Sequence, residues 1–269
     1  MAFDHKTPEI WDKVWRDYSL ADFEIDLAQE RDSIRFQYIL DCVTRDFGGF
    51  RDLKVVEIGA GRGLVTLLMC QLGANGTVID YSEDALTVAR EFYSHFGVEV
   101  STVCMDAFDL SKDLHQAYDI SMSFGLAEHF SGARRQAIFQ AHSDLLRTNG
   151  MSFISVPNAA CFPYRVFKAT AEALDLWRLG TEIPFTRQEL NERASAADFN
   201  DIDIVGSSFP ISMSKYLLVD PLSYASRKVL GRDLFHSLKK MPERPRRNKR
   251  RFWINDVLGY SLTLKGRRG

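Results

Sequence analysis

The sequence predicts an α/β fold, a doubly wound parallel sheet with helices on both faces, and three observations carry that prediction. Short apolar runs alternate with amphipathic helical segments between residues 53 and 156. The first run passes through a turn holding Gly59, Gly61 and Gly63 into the first helix of that series. The composition is that of a globular chain: 269 residues, 45% hydrophobic and 26% charged, which excludes wholesale disorder and fibrous repeats.

Each element follows from its own pattern. Leu53 to Ile58 is a short apolar strand, and Leu64 to Leu72 reads as the helix after the glycine turn. Thr77 to Asp80 is a second strand. Glu83 to Phe96 is a helix whose Ala85, Leu86, Ala89 and Phe92 fall on one buried face. Val98 to Val103 and Tyr118 to Phe124 make the third and fourth strands. Gly132 to Arg147 reads as a helix ended by Asn149-Gly150, and Met151 to Val156 as a fifth strand stopped by Pro157. A sixth strand is expected at Asp201 to Ser207 and a last one at Val257 to Lys265. Right-handed crossovers set the carboxyl ends of the strands along one edge, where ligands bind. Residues 1–50 are expected to form an N-terminal helical cap, with helices around Pro8 to Tyr18 and Ser33 to Asp46. Residues 51–269 would form the main domain, with inserts at 160–185 and 209–251 that cover the ligand edge.

Charge and cysteines bound the setting. The net charge of −2 hides a balance of +9 over Lys239 to Gly269, leaving −11 for the rest. A basic block of this kind is a solvated face or a surface for an anionic partner. Cys42, Cys70, Cys104 and Cys161 form no CxxC pair, so reduced thiols in a cytoplasmic protein are expected, without a disulfide framework or zinc site. No apolar run reaches the roughly 18 to 20 residues of a membrane span. The opening MAFDHKTPEIWDK has no apolar segment of the signal-peptide kind.

The sharpest feature is VVEIGAGRG, residues 55–63. A buried strand delivers Glu57, and glycines at 59, 61 and 63 let the backbone turn with positive φ and lie against a ligand. Dinucleotide binding would want a third glycine at the position of Leu64, and Glu57 is a poor neighbour for a pyrophosphate. An acid there suits a ligand with an ammonium group. These residues resemble the first motif, E-x-G-x-G-x-G, of the class I S-adenosylmethionine-dependent methyltransferases. The resemblance covers residues 50–158 strongly and 182–199 and 253–266 more loosely. It implies a Rossmann-like, seven-stranded, mostly parallel sheet with an antiparallel last strand, and S-adenosylmethionine as cofactor. It also implies that Glu57, Gly59, Ala60, Gly61 and Gly63 line the cofactor, Asp80 takes the ribose hydroxyls and Tyr81 packs on the adenine. Asp106 and Ala107 would meet the adenine edge, and Phe124 and Gly125 the adenosine and methyl-donor pocket.

After the fourth strand stands FGLAEHF, similar to the E-x-x-E-H signature of ubiquinone-biosynthesis and small-RNA O-methyltransferases, with Gly125 where the first acid stands. Glu128 and His129 are the candidate catalytic residues, and the missing acid weakens the case for a metal. His129 has three readings: a general base, since an imidazole titrates near neutrality, a structural donor to a carbonyl, or a ligand. Trp11, Trp15 and Tyr18, and Phe162, Tyr164, Phe167 and Trp177, are aromatic candidates above the strand ends, with Tyr18 picked to close over the cofactor. Arg165 and Lys168 are candidate anion contacts. The leading expectation is a methyltransferase acting on O or N of a small-molecule acceptor, with an anionic acceptor and a homodimer as further expectations. The alternatives are an RNA or protein methyltransferase using the basic 239–251 stretch, and a cofactor-binding scaffold without turnover.

Overall fold

The computed structural model describes residues 19–174, 177, 180–230 and 252–269. The expected helix at Pro8 to Tyr18, the Tyr18 lid and the basic stretch at 239–251 lie outside the described residues. Seven strands run β1 (Lys54–Ile58), β2 (Asn75–Asp80), β3 (Ser101–Cys104), β4 (Tyr118–Phe124), β5 (Leu146–Pro157), β6 (Phe199–Gly206) and β7 (Ser261–Arg268). They form one sheet in the order β3-β2-β1-β4-β5-β7-β6. β7 is antiparallel to β5 and β6, and the other neighbours are parallel. The doubly wound sheet with an antiparallel last strand is therefore present. The chain leaves β1 toward β2 on one side and returns to β4 on the other, so a crevice opens between the ends of β1 and β4.

The described helices are α1 (Leu20–Arg31), α2 (Ile34–Phe47), α3 (Leu64–Gln71), α4 (Glu83–His95), α5 (Gly132–Leu145), α6 (Phe162–Ala173), α7 (Arg187–Ser195), α8 (Phe209–Ser214), α9 (Asp220–Leu230) and α10 (Trp253–Leu258). Strand alternation divides the core. Val55, Val78, Ile120 and Phe153 face α1 to α4, while Val56, Ile58, Ile79 and Ile154 face the helices on the other side. Phe23 and Leu27 of α1 and Phe36, Ile39 and Val43 of α2 share one cluster with Val55 and Leu67. The Phe23 ring lies 4.2 Å from that of Phe92, tilted by 39°. Each such burial contributes roughly 1.5–3 kcal/mol, so α1 and α2 are tied into the sheet by their apolar faces.

Several boundaries differ from expectation, each for a local reason. α1 is an element the sequence pattern does not announce; Ser19 starts it by accepting from the Asp22 N–H, and acids interrupt its apolar spacing. The segment from Val98 does not yet pair, because Gly97 takes φ 65° and the Val98 N–H still bonds to the Tyr93 carbonyl. α5 stops at Leu145 and Asn149, at φ 62°, lies inside the longer β5, at the irregularity in its pairing with β4. The largest correction is at the C-terminal end. Residues expected to open β7 form α10, whose Asp256 carboxylate and Asn255 side-chain oxygen accept from the Gly206 and Phe209 N–H groups. The crossing is tight: a Cβ on Gly206 would run into the Asn255 carbonyl.

Candidate functional site

The crevice has two sides. On the β1 side, Gly59, Gly61 and Gly63 take φ of 60°, 50° and 62°, the left-handed region that glycine alone adopts without strain. Space is as restrictive as φ. A Cβ on Gly63 would lie 2.7 Å from the Tyr93 hydroxyl and 2.9 Å from Val78, and the Tyr93 hydroxyl donates to the Gly63 carbonyl at 2.6 Å. The Ala60 N–H donates to the Ile79 carbonyl at 3.1 Å, fastening the loop to β2.

Two buried acids hold this loop. Glu57 Oε2 accepts from the Thr66 hydroxyl at 2.6 Å and the Thr66 N–H at 3.2 Å, at the first turn of α3. Burial pushes the Glu57 carboxyl up to about 7, against the pull of the Thr66 bonds. Asp80 ends β2 and accepts from the Gly61 N–H at 2.9 Å through one oxygen and the Ser82 N–H at 3.0 Å through the other. Each carboxylate oxygen has a second lone-pair site, so the group can serve loop and ligand together. Tyr81 beside it is exposed. Asp106 accepts from the Phe108 N–H at 3.0 Å, which fixes the turn after β3, and Ala107 and Leu126 pack against the same core cluster.

The β4 side is different in kind. Phe124 ends the strand with the Arg35 guanidinium 4.6 Å over its ring, and Arg35 also pairs with the buried Glu30. Gly125 follows at φ 90°, its N–H bonded to the Ser155 carbonyl. The Ala127–His129 turn then buries Glu128, whose Oε2 has no hydrogen-bond partner. Burial pushes the Glu128 carboxyl up to about 8; its own backbone N–H and Arg135 oppose that, and Glu182 reinforces it. His129 stands half-buried, its Nδ1 2.8 Å from the Thr181 carbonyl oxygen, while the Ile183 N–H donates to the Glu128 carbonyl at 2.8 Å. The segment Thr181–Ile183 is thereby clamped over the turn, with buried Glu182 accepting from the Tyr164 hydroxyl.

Around Tyr164 an aromatic wall forms: the Tyr260 ring lies at 5.1 Å, Tyr216 at 5.6 Å and Trp177 at 6.5 Å. The sequence pattern singles out Tyr164 and Trp177 but misses Arg35, Glu182, Tyr216 and Tyr260. These last come from distant segments, and no local motif marks them. Arg165 donates to the Ala159 carbonyl and Lys168 pairs with Glu172, so both have partners within the chain.

Residues 55–150 match the family model of a methyltransferase domain. The chain is 31% identical over 187 residues to the ubiquinone biosynthesis O-methyltransferase of Glaesserella parasuis, covering 65% of this chain and 75% of that protein. The chain belongs to the class I S-adenosylmethionine-dependent methyltransferases. This methyltransferase also aligns with the ubiquinone biosynthesis O-methyltransferase of Rickettsia akari at 22% identity, over 90% of this chain and 96% of that one. Its fold matches the magnesium protoporphyrin IX methyltransferase of Synechocystis, at 13% identity and a TM-score of 0.58 over 97% of this chain and 93% of that chain. A Burkholderia thailandensis 1,6-didemethyltoxoflavin N1-methyltransferase matches at 16% identity and a TM-score of 0.57, over 100% of this chain and 91% of that chain. The cofactor of this methyltransferase is S-adenosylmethionine, and its acceptor is a small molecule. The crevice carries two buried acids, Glu57 and Asp80, and three glycines at positive φ, with the Leu126 side chain lying against Gly59; buried carboxylates of this kind are chemically suited to an ammonium and a diol. No helix among the described residues is long and apolar enough to cross a membrane. Nor is there a cluster of three or more potential metal ligands among them.

Proposed function

We propose that this methyltransferase acts on a hydroxyl oxygen of a small, largely apolar acceptor and that Glu128 takes the proton. The observation that carries this reading is the Glu128 Oε2: a buried carboxyl oxygen without a partner, beside the end of β4. A buried acceptor left unsatisfied costs about 1–3 kcal/mol, which a ligand hydroxyl recovers on binding. A carboxyl held near 8 is also better matched to proton abstraction near neutral pH than one at its ordinary value. That the relatives above are O-methyltransferases by name supports the choice of oxygen.

In this reading Glu57 meets the ammonium of the cofactor, Asp80 its ribose hydroxyls, Tyr81 the adenine face, and Asp106 with the Ala107 N–H the adenine edge. Gly59, Ala60, Gly61 and Gly63 supply backbone against it, with Phe124 and Gly125 as the opposite wall. Arg35, on the Phe124 ring, takes the carboxylate. When bound, S-adenosylmethionine supplies a methyl group made electrophilic by the neighbouring sulfonium. The protein contributes alignment, exclusion of water and the proton acceptor. His129 donates through Nδ1–H to Thr181 and thus positions the clamp that buries Glu128. Tyr164 and Glu182 hold the far end of the acceptor, and the two acids keep anionic groups away from the reacting end. The four cysteines are free thiols, in keeping with a cytoplasmic site of action.

The test is transfer of labelled methyl from S-adenosylmethionine to catechol, with benzylamine as the nitrogen control. O-methylated product that depends on Glu128 supports the reading. N-methylated product, or equal rates for wild type and Glu128→Gln, overturns it.

A further inference from the structure

The acceptor side of the crevice holds more negative charge than the chain around it answers. Glu128 and Glu182 are only 3% and 7% exposed, and the Ile183 N–H bond to the Glu128 carbonyl brings their segments together. The Glu182 charge adds to the rise that burial gives the Glu128 carboxyl. Tyr260, from the start of β7, feels both acids. Burial pushes its hydroxyl up first and the Glu182 and Glu128 charges push further, against a Tyr216 bond and Arg35. Three distant segments thus meet around one pair of carboxyl groups.

Buried carboxylates are ordinarily paired with a cation. The cations in this part of the fold are committed elsewhere. Arg135 donates from Nε to the Phe130 carbonyl, from Nη1 to Glu189 and from Nη2 to the Ile183 carbonyl. Lys168 pairs with Glu172, and Arg35 with Glu30. Glu182 has the Tyr164 hydroxyl, and Glu128 Oε2 has no partner. Among the described residues, no Lys, Arg or His forms an ion pair with either acid. The rest of the setting is aromatic: Tyr216 and Tyr260 lie 5.1 Å apart, and Tyr164 is 5.1 Å from Tyr260. Ring faces attract an organic cation and offer nothing to an anion.

We propose that the acceptor carries a protonated amine remote from its reacting hydroxyl, and that Glu182, with the tyrosine rings beside it, selects that amine. This specificity rests on the acceptor site proposed above. Two carboxylates among rings suit an alkylammonium better than a hard metal ion, which takes six or more oxygen ligands. A cation bound here also favours the ionised form of Glu128, the form that accepts the proton.

The test is calorimetric titration of the S-adenosylhomocysteine complex with dopamine, its neutral isostere hydroxytyrosol and the anionic dihydroxyphenylacetate. Wild type should bind the amine roughly tenfold more tightly than the alcohol, and the acid most weakly. Glu182→Gln should bring amine and alcohol within about twofold, a ratio from which any general loss of affinity cancels. Tyr164→Phe keeps the carboxylate and should keep the preference. An amine that wild type binds no more tightly than the alcohol overturns the proposal. So does a preference that Glu182→Gln retains or Tyr164→Phe abolishes, or methyl transfer to the dopamine nitrogen. Failure of the base is read separately: an amine preference without Glu128-dependent O-methylation supports the amine site and removes only the role of Glu128.

Discussion

The two sides of the crevice solve opposite problems. On the β1 side the polar atoms that matter are already bonded to the protein: Glu57 to Thr66, Asp80 to Gly61 and Ser82, Tyr93 to Gly63. These bonds set the loop before any ligand arrives. On the β4 side a buried carboxyl oxygen of Glu128 is left over, with Glu182 and Arg135 acting on it and the Tyr164 aromatic cluster beyond. On the proposed reading, the contrast divides the crevice into a side that binds a fixed cofactor and a side whose bonding an acceptor completes.

The largest effect that would break this contrast is on turnover. Glu128→Gln keeps shape and loses basicity, so methyl transfer to an oxygen acceptor should fall by roughly 10²–10⁴-fold. The wild-type rate should rise with pH toward the Glu128 value of about 8, and the variant should lose that rise. A pH profile shared by both enzymes would remove Glu128 from the chemistry. Next in size is Asp80→Ala, which removes the loop's Gly61 bond together with the proposed ribose contact. Two charge-assisted bonds at about 1.5–3 kcal/mol each predict a loss of cofactor affinity of at least about 100-fold by calorimetry.

Stability should sharpen the contrast. Glu57 and Glu128 ionise near 7 and 8 in the fold against 4.5 when free, so the unfolded chain gives up their protons first. Their contribution is therefore complete below about pH 4.5 and is lost as pH rises through 7 and 8. Each tenfold difference in proton affinity between the folded and unfolded chain is worth about 1.4 kcal/mol. The buried His142, lowered to about 3 from 6.5 by burial, acts the other way: its contribution holds above 6.5 and is lost as pH falls toward 3. Urea titrations should show stability declining on both sides, with Glu128→Gln flattening the alkaline limb. The smallest effect is Tyr93→Phe, which deletes the hydroxyl bond to the Gly63 carbonyl. It should cost about 1 kcal/mol of stability and leave transfer rates nearly unchanged once cofactor saturates.

How much of this is legible in the sequence follows the same division. Much of the β1 side is local: strand, Glu57, glycines and helix lie within residues 54–71 and spacing displays them, whereas Tyr93 reaches Gly63 from 30 positions on and goes unannounced. The sheet and its parallel strands are equally readable, because apolar period and turn residues are short-range signals. The β4 side is assembled from afar. Tyr164 meets Glu182 across 18 positions and His129 meets Thr181 across 52, while Asn158 donates to the carbonyls of Val257 and Gly259 near β7. Spacing cannot show such pairs. α10 illustrates the reason: its apolar residues suit a strand, and its close crossing with Gly206 is a contact across some 50 positions that no local pattern shows.

The most direct measurement is a calorimetric titration of S-adenosylhomocysteine into wild type, Asp80→Ala and Glu128→Gln in parallel. Division of the crevice predicts that Asp80→Ala binds about 100-fold more weakly and that Glu128→Gln binds like wild type. If Glu128→Gln loses as much affinity as Asp80→Ala, or Asp80→Ala binds undiminished, the division is wrong.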